Sequence, residues 1–216
     1  ETYYHSLASL IDKDEFVSQV DMHRKKIAEL FDYQPKVFRN TELIYSDEIA
    51  KSVKQMGFKV QLAEGAKHVL AWRSPNYVYA NYPDGDLTLL LKNFQLSDDI
   101  AFRFSQHSWQ GFPLTSEKFV SWLSQIENPD CINLFMDYET FGEHQWQQTG
   151  IFDFLEHLPF EVLNRSDFDF ATPSEVAERY TVRDKVSSVS PMSWADEERD
   201  LTAWLGNDLQ IDSFAQ

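Results

Sequence analysis

Two acids in this chain stand just beyond short strand-like runs: Glu42 after residues 36–40, and Asp137 after Ile132, Leu134, Phe135 and Met136. The second run follows the turn-forming Glu127-Asn128-Pro129-Asp130 and is apolar enough to read as a strand buried on both faces. In α/β folds chemistry gathers at the carboxyl ends of strands, where loops on a rigid scaffold aim polar groups into one cleft. Two carboxyl groups meeting there at about 5 to 5.5 Å would suit double displacement at an anomeric carbon, one attacking and the other protonating the departing oxygen. The attacker must be ionised, and the donor must keep its proton near neutral pH through desolvation or a nearby like charge. Glu139, two residues past Asp137, is placed to be that charge. The competing reading makes Asp137 the cap of the next turn and leaves Glu139 solvated.

The elements around these acids alternate between helix and strand. Asp12 with Glu15 has the form of a capping box, and Phe16, Val20, Ile27, Leu30 and Phe31 recur at helical spacing, which predicts a helix over 12–33. Ser46, with Asp47 and Glu48 behind it, starts another that Gly57 stops. Residues 58–62 alternate as a strand, and 77–82 and 87–91 read as a hairpin turning at Pro83-Asp84-Gly85-Asp86. Helices are expected at 97–104, 115–126 and 150–158. Thr172-Pro173-Ser174-Glu175 opens a further one with an N-cap, a proline at the first position and a returning glutamate. The serine-rich residues 181–193 read as a long loop, and a last helix runs from about 196 to 205, ending at Gly206. This alternation predicts an α/β fold of parallel βαβ units.

Composition narrows the partners. The chain has 216 residues, enough for one sizeable domain, and its net charge is -16, which excludes a phosphate-backbone partner or an anionic membrane surface and fits a neutral or cationic substrate. Six Trp, nine Tyr and 17 Phe can stack on flat ligands or fill cores. The single cysteine, Cys131, offers no disulfide framework and fits a reducing, cytoplasmic setting. Neither a signal peptide nor an apolar span of membrane length is read. Nothing in the pattern bears on oligomeric state.

Three longer segments are specific. FRNTELIY (Phe38 to Tyr45), MDYETFGEHQW (Met136 to Trp146) and SWADEERDLTAWLGNDLQ (Ser193 to Gln210) together resemble conserved segments of glycoside hydrolase family 57, in its α-amylase branch, and the opening ETYYHSL resembles the tail of another. The resemblance runs from residue 1 to 210 in the family's order. It implies a seven-stranded (β/α) barrel followed by helices that complete the cleft, acting on α-glucans such as starch, glycogen or maltooligosaccharides by a retaining mechanism without a cofactor or metal. By motif position Glu42 matches the nucleophile and Asp137 the general acid/base. The family's opening strand, with its histidine-glutamine-proline motif, has no counterpart here. The expected fold is therefore an incomplete barrel of the later strands over residues 1–180, with 181–216 as a C-terminal helical extension. Glucan transfer or branching, or an inactive sugar-binding fragment, are the alternatives.

The same motifs nominate substrate-binding residues. Trp194 and Asp196 match positions that contact sugar in relatives, a stacking surface and a hydroxyl acceptor; otherwise Trp194 is core and Asp196 a helix cap. His5 borders the sugar site or is packing. Arg39 is expected to orient Glu42 by a charge-assisted hydrogen bond or to sit on the surface. Glu139, His144 and Trp146 belong to the central motif and are placed in the cleft. A metal-dependent deacetylase would want paired histidines at helical spacing, which the six histidines do not offer. A serine hydrolase would want a glycine-flanked serine elbow, and none occurs.

Overall fold

Capping chemistry sets most helix starts in the computed structural model, which describes residues 1–165 and 167–215. Asp12 accepts hydrogen bonds from the Asp14 and Glu15 amides, so a short α1 (Ala8–Ile11) gives way to the long α2 (Lys13–Phe31). After β1 (Val37–Arg39), Ser46 caps α3 (Asp47–Gln55), and Gly57, at φ 90°, turns the chain into β2 (Val60–Ala63). A single turn, α4 (Lys67–Leu70), precedes β3 (Tyr79–Asn81) and β4 (Thr88–Leu91). There follow α5 (Phe94–Ala101), α6 (Ser116–Leu123) capped by Thr115, α7 (Ile151–Leu163), and α8 (Pro173–Arg179) with a full capping box between Thr172 and Glu175. Strand β5 (Asp184–Val186) and the short helices α9 (Thr202–Leu205) and α10 (Asp208–Phe214) complete the described chain.

The strands form one mixed sheet in the order β1-β2-β4-β3-β5. β1, β2 and β4 run parallel, β3 is antiparallel to β4 as the turn at 83–86 predicts, and β5 lies parallel to β3. Alternation along the strands divides the core. Phe38, Leu89 and Leu91 pack with Phe16, Tyr45, Val186 and Met192, while Val60 and Leu90 pack with Val78 and Val176 of α8. A third cluster joins α6 to α7 through Phe119, Ile151 and Phe154. Burying each such side chain stabilises the fold by about 1.5–3 kcal/mol.

The α/β class holds: the described residues form one mixed sheet of five strands with β1 and β5 at its edges. Three expectations are corrected. The run at 131–136 is not a strand and is half-buried rather than buried on both faces. Its polar groups are met instead by Asn93 N donating to Asn133 O at 2.9 Å, Asn133 Nδ2 to Leu91 O at 3.0 Å, and Phe135 N to Ser97 Oγ at 3.2 Å. Residues 181–193 are not all loop. β5 is polar because it is an edge where only Val186 is buried, and arginines dock it: Arg183 on Asp130 at 2.6 Å and Arg73 on Asp184 at 3.0 Å. The helix expected over 196–205 starts only at Thr202, because Asp196 and Asp200 bond the amides of Arg199 and Thr202 in turns, and it is not the last, since α10 follows Gly206.

Candidate active site

The loop after β1 is wound tightly. Asn40 donates its side-chain amide to Ile44 O at 3.0 Å and to Ser9 Oγ at 2.9 Å, closing a turn of 3-10 helix over Thr41–Leu43. Inside that turn Glu42 and Leu43 take left-handed backbone, φ 55° and 52°. Such residues each cost of order 1–3 kcal/mol, so the surroundings must impose the geometry. They do so from the far end of the chain. Tyr45 and Met192 form an antiparallel bridge, and the next residues clamp the Glu42 carbonyl, Ser193 Oγ donating at 2.8 Å and Trp194 N at 3.2 Å.

The Glu42 carboxylate is held at both oxygens. Trp194 Nε1 donates to Oε2 at 2.8 Å, and His5 Nε2 lies 3.1 Å from Oε1. Partial burial works against a charged His5, but its hydrogen bonds to Glu42 and Glu1 outweigh that and raise its pKa above the ordinary value. Arg39 makes no hydrogen bond to Glu42 among the described residues, contrary to one expectation. Its guanidinium lies over the Trp194 ring, 4.8 Å from the centroid, and 3.7 Å from Glu1.

Asp137 reaches the same place from the other side. It occupies the N-cap position of the turn Tyr138–Thr140, yet its side chain makes no capping bond, so the carboxyl is free for other work. Partial burial raises its pKa; Glu139 and Glu42 push the same way, against Arg39 and His144. Glu42, Asp137, His144, Trp194 and Asp196 line one cavity of about 500 Å³, with Lys92, Asp98 and Arg199 in its wall. A second cavity of about 380 Å³, between α6, α7 and residues 129–134, holds neither acid.

The other nominated residues divide. His144 lines the cavity with its ring stacked on Phe102, 6.3 Å between centroids. Asp196 also lines it while its carboxylate accepts from the Arg199 and Ala203 amides, so it is a cap as well as a wall. Glu139 acts on Asp137 from an exposed position outside the wall, and Trp146 is exposed and outside it too. Sequence reasoning passed over Lys92, Asp98, Arg199 and the buried Glu64 beside them. A signal existed: Glu64 and Lys92 directly follow β2 and β4, as charged residues closing apolar runs. Among the described residues no group of three His, Cys, Asp or Glu is arranged to hold a metal ion, and no helix is long and apolar enough to cross a membrane.

Residues 1–188 match the model of a family described as "Glycosyl hydrolase family 57". The chain is 50% identical over 217 residues to a "Putative alpha-amylase" of Methanocaldococcus jannaschii, covering 99% of this chain and 46% of that protein. It thus spans about half the length of that relative. Its fold is similar to the crystal structure of a 4-alpha-glucanotransferase from Thermococcus litoralis, with a TM-score of 0.68 at 20% identity over 88% of this chain and 29% of that one. At that identity the likeness is one of fold.

Proposed function

The chain belongs to glycosyl hydrolase family 57, and from that premise we propose that its cleft cleaves α-glucans by retaining double displacement, with Glu42 as nucleophile and Asp137 as general acid/base. One observation carries the reading. Two acids share a cavity in opposite conditions: Glu42 is tied at both oxygens by Trp194 and His5, while Asp137 is uncapped and its pKa is raised by desolvation and two neighbouring carboxylates. Donors on both oxygens of a carboxylate fix its direction, which an attacking oxygen needs. A carboxyl with raised proton affinity suits the group that gives a proton to the departing oxygen and then takes one from water.

The remaining assignments belong to the same proposal. Residues 1–180 form part of a (β/α)7 barrel, and 181–216 complete the cleft, as Trp194, Asp196 and Arg199 in its wall support. Trp194, Asp196, His144, His5, Arg39 and Glu139 contact or orient sugar at the cleavage point, and the exposed Trp146 serves units of a longer chain outside the cavity. A sugar hydroxyl in place of water at the second step turns hydrolysis into glucan transfer.

The test is Glu42→Gln in the longest expressible polypeptide containing this chain, assayed on maltooligosaccharides by product length. Cleavage should vanish with the circular dichroism unchanged, because an attacking oxygen is lost and little volume changes. Undiminished turnover would overturn the assignment. Products longer than the substrate identify transfer.

A further inference from the structure

Sheet register brings a second set of charges to this cavity. Ala63 of β2 pairs with Leu91 of β4, so Glu64 and Lys92 leave the sheet side by side. Glu64 Oε2 lies 3.9 Å from Lys92 Nζ and 3.6 Å from Arg199 Nε. Asp98 takes the same two cations, 3.3 Å from Lys92 Nζ and 3.2 Å from Arg199 Nη2. Two acids and two bases close a ring without net charge. Glu64 is fully buried, Lys92 nearly so, and Glu64 Oε2 accepts no hydrogen bond among the described residues. Such a ring adds little net stability, because desolvation offsets the attraction. It does hold an ammonium in a fixed place.

That place is over an indole. Lys92 Nζ lies 4.8 Å from the centroid of the Trp194 ring, whose N–H is the donor to Glu42 Oε2. A desolvated cation on an aromatic face is attracted to it, and it draws electron density from the ring, which strengthens the N–H as a donor. We propose that Lys92 is a positioning residue for Glu42: fixed by Glu64 and Asp98, it pins and polarises Trp194, which aims the carboxylate. The inference rests on the reading of Glu42 as nucleophile. Because Lys92 acts through the indole, its loss falls on the chemical step.

The test is a double-mutant cycle on maltooligosaccharide cleavage, with Glu42→Gln as reference. Lys92→Met lowers kcat about tenfold and keeps KM within about twofold. Lys92→Arg, which preserves a cation, recovers most of the loss. Trp194→Phe also lowers kcat, and Lys92→Met combined with Trp194→Phe is no slower than Trp194→Phe alone. Losses that multiply, an effect on KM alone, or a Lys92→Met enzyme with unchanged kcat would each overturn the proposal. If Lys92→Met does not fold, the cycle is run in Glu64→Gln with Lys92→Met, which leaves one acid and one base. A Glu42→Gln enzyme that still turns over would instead sink the underlying reading.

Discussion

Replacing Arg199 with Met tests the ionic ring directly. Arg199 is the one member from the C-terminal region, and its own backbone is left-handed at φ 59°. Without it, fully buried Glu64 keeps a single counter-charge, Lys92 at 3.9 Å, and Asp98 loses a hydrogen bond of 3.2 Å. Removing one partner from a buried ion pair costs about 3–5 kcal/mol, and the surviving lysine puts this case near 3. For a chain of this size that is a fall in Tm of about 6–12 °C, read by thermal unfolding under circular dichroism. The loss should depend on pH. Burial already raises the pKa of Glu64 against the pull of Lys92 and Arg199, and losing Arg199 raises it further. The native state then binds a proton that the unfolded chain has released, from Glu64's ordinary value up to its raised one. Stability therefore falls as pH rises through that window and returns below it. Glu64→Gln added to Arg199→Met should restore most of the stability at neutral pH by removing the uncompensated charge. A variant that melts with the unsubstituted chain, or whose deficit ignores both pH and Glu64→Gln, would refute the reasoning.

Two predictions concern Asp137. Asp137→Asn should slow substrates with poor leaving groups by about 10²–10⁴-fold and activated ones far less, since proton donation matters least where departure is easy; equal losses across leaving groups would count against the acid role. Glu139→Gln removes a negative charge that raises the Asp137 pKa. The alkaline limb of the kcat/KM profile, where Asp137 loses its proton, should therefore move to lower pH, and a limb that stays put or moves up would contradict the coupling.

Local chemistry in the sequence was a good guide wherever one residue decides one bond. Asp12, Ser46, Thr115 and the Thr172–Glu175 pair each cap the helix their types predict, because capping is satisfied within three residues. The hairpin of β3 and β4 was legible for the same reason, and so was the placing of Glu42 just past β1. What failed was read from hydrophobic pattern alone. The run at 131–136 has a strand's composition, but Asn93, Ser97 and Asn133 take the hydrogen bonds a ladder would have made. β5 has a loop's composition because it is an edge strand that pairs with β3 on one side and buries only Val186, while Arg73 holds its exposed Asp184 and the flanking Arg183 holds Asp130. The ring of Glu64, Lys92, Asp98 and Arg199 was invisible for a different reason: its members lie up to 135 residues apart and meet only through sheet register.

The clamp on Glu42 has a consequence for synthesis. The carboxylate and the indole that steadies it are separated by 152 positions, and the Tyr45–Met192 bridge beside them closes a similar span. A polypeptide leaving the ribosome can lay β1 against β2 early, since those contacts are near in sequence, but the left-handed turn at Glu42 has only the local bonds of Asn40 to close it until Ser193 and Trp194 emerge. The geometry of Glu42 is then acquired late, and a nascent product cut short before residue 193 carries that acid without the donors that hold its carbonyl and carboxylate.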